Sequence, residues 1–110
     1  MMTHMNDEQQ LLTQVVKRLT TWSSPARVIA FGSVAAGTAT ADSDLDLLVV
    51  IDDVTDTRRE SVRLRDVLGD IGMPIDVIVM STERFEETKD VIGGIAYPAH
   101  KYGRVIYEAA

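Results

Sequence analysis

The sequence predicts an α/β fold of about four short strands set among helices, and three observations carry that expectation. Apolar runs rich in Val, Ile and Leu recur with strand length, at Arg27 to Phe31, Leu45 to Ile51 and Ile75 to Met80, with a last short one at Arg104 to Tyr107. Before and between them, apolar residues recur at helical intervals. The composition, 45% hydrophobic and 25% charged over 110 residues, is that of one globular domain covering residues 1–110, not of a disordered or fibrous chain.

Asn6 is the expected start of the first helix, because Gln9 follows in capping-box spacing. Leu12, Val15, Val16, Leu19 and Trp22 then form one stripe, read as a buried face. Ser23, Ser24 and Pro25 stop the helix, and the first strand delivers Gly32 and Ser33 at its end. Val34 to Ser43 is small and polar, which predicts a short helical turn and a loop. The run from Leu45 to Ile51 is apolar at nearly every position, the pattern of a central strand covered on both faces.

Asp52, Asp53 and Thr55 predict a turn. The stretch through Asp70 alternates charges with Val62, Val67, Leu68 and Ile71, an amphipathic helix ended by Gly72 and Pro74. The third strand carries Asp76, Ser81 is placed to cap a short helix holding Phe85, and Gly103 closes a helix over Ile95 to Tyr102 with Pro98 in its first turn.

Net charge is −6 with a pI near 4.7, which disfavours broad binding to nucleic-acid phosphates. The absence of cysteine excludes disulfides and thiolate metal sites and fits a reducing compartment. The longest apolar stretch is too short to span a membrane, and Met1 to Gln10 lacks the apolar segment of a secretory signal, so a cytoplasmic protein is expected.

One constellation points to chemistry. Gly32 and Ser33 end a strand, ten residues intervene, Asp44 and Asp46 enter the next strand, and Asp76 lies within a third. Strand residues two apart share a face, so Asp44 and Asp46 converge with Cα atoms roughly 6.5 Å apart. Carboxylate oxygens are the donors a hard divalent cation takes, and a two-metal phosphoryl-transfer site spaces its ions by about 3.5 to 4 Å. Asp76 is the natural third ligand. Within the apolar run from Pro74 to Val79 it is expected to be buried, where an unpaired charge costs several kcal/mol unless something compensates it. Gly32 lets a phosphate approach the backbone, and Ser33 offers a hydroxyl and an N–H. Each feature alone is commonplace; their conjunction reads as a magnesium-nucleotide site.

These residues resemble the minimal nucleotidyltransferases of the DNA polymerase beta-like superfamily, whose signature is G-S-x10-D-x-D with a distal D. Gly32, Ser33, Asp44, Asp46 and Asp76 match it position by position, and Ser43, the Ser81 to Glu87 segment and the ending from Gly103 to Glu108 also look like small members. The resemblance implies a mixed sheet flanked by helices and transfer of NMP from an NTP to a hydroxyl or similar acceptor. It assigns Gly32 and Ser33 to the β and γ phosphates and Asp44 and Asp46 to two magnesium ions. Asp76 would bind the catalytic metal and help deprotonate the acceptor. Many members carry arginines shortly after the Gly-Ser pair, where this chain has Val34 and Ala36. Arg58, Arg59 and Lys101 are candidate substitutes, although each reads more simply as part of a solvated face, and Tyr97 and Tyr102 read as packing before base stacking. His4 and His100 have no recognisable arrangement and receive no role.

Larger relatives grip the acceptor with an additional domain for which this chain has no room, so the acceptor is expected from elsewhere. Among small stand-alone members many are antitoxins of HEPN/MNT toxin-antitoxin pairs that transfer AMP from ATP to a tyrosine of the toxin. That is the leading expectation here, with a HEPN-type toxin as partner. The alternatives are an inactive binding module that neutralises or scaffolds a partner, following from Val34 and Ala36, and an enzyme acting on a small molecule with a separate acceptor-binding subunit. The sequence leaves the preferred base and the oligomeric state open.

Overall fold

The apolar runs fold as strands of one mixed sheet. The computed structural model describes residues 4–32, 44–69 and 71–110. Along the chain these form α1 (His4–Trp22), β1 (Arg27–Phe31), β2 (Leu45–Ile51), α2 (Thr57–Leu68), β3 (Ile75–Ser81), α3 (Thr82–Thr88), α4 (Ala96–Tyr102) and β4 (Arg104–Glu108). The strand order is β3-β2-β1-β4, with β1 antiparallel to β2 and β4, and β2 parallel to β3. A parallel pair needs a crossover, which α2 supplies.

Alternation along β2 splits the core in two. Leu45, Leu47 and Val49, with Val28, Ala30, Val77 and Val79, pack under α1 and α2 against Leu12, Val15, Leu19, Leu64 and Leu68. On the other face Leu48 and Val50 join Ile29 beneath Phe85 of α3 and Ala96 and Ala99 of α4. Central position explains why β2 is apolar at both parities.

Two arginines tie α1 to α2 crosswise. Arg18 donates to the Leu68 carbonyl at 2.8 Å, and Arg63 donates to the Trp22 carbonyl at 2.9 Å, so each helix satisfies a terminal carbonyl of the other. Arg63 also grips Glu60 at 2.6 Å, which holds that carboxyl below its usual range. Ser61 accepts from the Val79 N–H at 2.9 Å, satisfying a donor on edge strand β3.

The third strand, Ser81 accepting from the Arg84 N–H at 3.1 Å as an N-cap, buried Phe85 and the helix closed by Gly103 all match the sequence reading. Four details differ. Helix α1 already runs from His4, so Asn6 lies within it and is no cap. Trp22 is 63% exposed, because it sits in the last turn, and Pro25 is buried at the turn that follows. Val62 is exposed and Leu64 buried instead. Two residues apart on a helix point about 200° from each other, so Val62 could not share the face of Leu64 and Leu68. Finally, α2 stops at Leu68, not at Gly72 and Pro74: Gly69 has a φ of 46° and returns its N–H to the Arg65 carbonyl. No helix among the described residues is long and apolar enough to cross a membrane.

Candidate active site

Parallel pairing of β2 with β3 sets Asp46 directly opposite Asp76 as Cα partners, and Leu45 opposite Ile75. Partners in register on neighbouring strands point to the same face. Antiparallel pairing of β1 with β2 brings Phe31 opposite Asp46, so the C-terminal end of β1 meets the N-terminal ends of β2 and β3. The next residue, Gly32, turns away with a φ of 82°. A Cβ built there would lie 2.5 Å from Asp46 Oδ2, so the left-handed backbone favours glycine and any side chain there would have to displace the carboxylate.

Asp44 precedes β2 and is exposed, Asp46 is half-buried, and Asp76 has a side chain 55% exposed. Burial, followed by the charges of Asp76 and Asp44, pushes the Asp46 carboxyl above its usual range. Asp46 therefore lies within electrostatic reach of both Asp76 and Asp44.

The expectation that Asp76 is buried is wrong. It stands at the second position of an edge strand, where the sheet ends on one side, and solvent meets much of its charge. Beside it stands Arg65 of α2, whose Nη2 lies 3.5 Å from Asp76 Oδ1. Sequence reasoning missed Arg65, which reads as one more charge on a solvated helix; only the packing of α2 beside β3 brings it to Asp76.

The other candidates fall elsewhere. Ser33, and Val34 to Ser43 with the expected helical turn and the Val34 and Ala36 departures, lie outside the described residues. Arg58 is exposed on α2, and Arg59 lines an open hollow of about 820 Å³ with Asp52 and Asp56, at the opposite end of β2 from Asp46. Lys101 donates to the Tyr97 hydroxyl at 3.1 Å and lies over the rings of Tyr97 and Tyr102, the latter 69% exposed and so not packed as expected. His100 packs edge-on against Phe85 and lies 3.9 Å from Asp90.

For a divalent cation the donors fit in kind: carboxylate oxygens on one face, one of them destabilised by its neighbours' charge, as a cation would relieve. Among the described residues, no three His, Asp or Glu side chains form a ready-made cage. Water and nucleotide oxygens ordinarily complete such shells for magnesium.

A crossover helix, a mixed sheet, and acidic residues gathered where β1 turns at glycine define a domain with phosphoryl-transfer chemistry in view. The family model for the nucleotidyltransferase domain matches residues 10–97, and the chain belongs to that family. Its family makes it a transferase of nucleoside monophosphates, with an NTP as substrate. No curated protein matches the sequence.

Proposed function

We propose that the protein is a magnesium-dependent nucleotidyltransferase that moves NMP, from ATP as AMP, to a hydroxyl on a partner protein. In this reading the partner is a HEPN-type toxin, the accepting group a tyrosine, and the chain the antitoxin of the pair. The register of Asp46 against Asp76 beside Gly32 is the observation that carries the chemistry. The family membership supports the reaction class. The protein partner follows from the resemblance to small members of the family.

Asp44 and Asp46 would hold the magnesium ions, and Asp76 would ligate the catalytic one. The metal supplies charge stabilisation to the attacking and departing oxygens. Gly32 and Ser33 would receive the β and γ phosphates, Gly32 by leaving its backbone bare. The acceptor oxygen forms its bond to the α-phosphorus as the bond to the bridging oxygen breaks, and pyrophosphate leaves with that electron pair. Asp76 is exposed enough to meet the acceptor and take its hydroxyl proton.

Incubation with labelled ATP, magnesium and the product of the neighbouring gene is expected to label that product. The Asp44→Ala, Asp46→Ala double variant should lower labelling by at least about a hundredfold; labelling that survives both changes refutes the assignment. A second reading, a binding module without turnover, follows from Val34 and Ala36 standing where many members of the family carry arginines. Magnesium with a non-hydrolysable ATP analogue separates the two. Nucleotide binding raises the melting temperature by mass action, whereas no shift at saturating ligand supports the module.

A further inference from the structure

We propose that Arg65 is the internal counter-ion of the acidic face: it neutralises Asp76 while no cation is bound, and thereby sets how tightly the protein takes one. This rests on Asp44, Asp46 and Asp76 being metal ligands.

Arg65 belongs to α2, under the face of the sheet opposite the three acids, and reaches Asp76 around the edge strand β3. Its backbone is fixed. Leu64 beside it and Leu68 one turn on are fully buried, and its own carbonyl accepts from the Gly69 N–H at 2.9 Å. Its side chain, in contrast, is 56% exposed. The separation of 3.5 Å exceeds the 2.7 to 2.9 Å typical of a charge-assisted hydrogen bond, so the guanidinium offsets charge at Asp76 without locking the carboxylate in place. Arg63 cannot substitute, being committed to Glu60 and the Trp22 carbonyl.

A doubly charged ion taken up by Asp76 must meet or displace this guanidinium, and like charges repel. Arg65 therefore weakens binding of the free cation. For an exposed pair the expected effect is about two- to fivefold in affinity.

The test titrates Mn²⁺ alone into the full chain and follows water-proton relaxation, which needs no turnover. Arg65→Gln should tighten Mn²⁺ binding about two- to fivefold, Arg65→Lys should restore most of the original affinity, and the tightening should vanish in an Asp76→Asn background. Thermal melts confirm that each variant is folded. Unchanged or weaker binding by Arg65→Gln, or equal tightening with Asp76→Asn present, overturns the role of Arg65 alone. No Mn²⁺ binding by the unaltered protein, or binding that survives Asp44→Asn with Asp46→Asn, overturns the metal-site reading and this proposal with it.

Discussion

The two faces of β2 carry the same backbone to different ends. Toward α1 and α2 its residues are Leu45, Leu47, Val49 and Ile51, the first three fully buried. Toward α3 and α4 they are Asp46, Leu48 and Val50, of which only the last two are buried. Both faces are apolar at the C-terminal end of the strand, and they diverge at the N-terminal end, where Asp46 lies beside Asp76 with Gly32 against it. One face is built to close. The other is closed halfway and then opens on charge, so a sheet this small keeps a two-sided core and still leaves one acidic corner to solvent.

That contrast is sharpest under truncation. Leu47→Ala removes a side chain with no exposed surface from the closed face and should destabilise the protein by about 2 to 5 kcal/mol, read by urea unfolding. A loss below about 1 kcal/mol would mean that the core under α1 and α2 is looser than its burial indicates.

Gly32→Ala probes the hinge of the open corner. The left-handed backbone alone should cost about 1 to 2 kcal/mol. The new Cβ also displaces the Asp46 carboxylate, so transfer activity should fall much further than stability. Equal activity with lowered stability would detach Gly32 from the site.

The smallest effect has the opposite sign. The Asp46 carboxyl is pushed up by burial and by Asp76 and Asp44, so the folded state binds its proton more readily than the unfolded chain does. Its ionisation therefore lowers stability as pH rises from the ordinary carboxylate range through the raised value, and the full penalty stands at neutral pH. Asp46→Asn should raise the melting temperature at pH 7 by roughly 1 to 3 °C while impairing transfer, and the gain should disappear near pH 3. A variant less stable than the parent at pH 7 would show that Asp46 is held by favourable contacts instead of crowded by like charges.

Residue pattern reached the strands best, because four to seven consecutive side chains with one dominant character leave little choice of element. It failed where a face, not an element, was at stake. Trp22 and Val62 were counted into buried stripes that the ends and phase of real helices do not extend to them. Of the candidate site, Gly32, Asp44, Asp46 and Asp76 were legible as a spacing, whereas Arg65 was one charge among many on an amphipathic helix.

The sequence by itself determined the order and type of the elements and the family, since periodicity and motif spacing are properties of the chain taken a few residues at a time. Tertiary structure alone decided that Asp46 and Asp76 are register partners, that Asp76 lies on an edge half open to solvent, and that Arg65 comes around that edge to meet it. The physical reason is that strand pairing and helix packing join residues distant along the chain. Local pattern specifies which face a side chain prefers, not which neighbour it finds there.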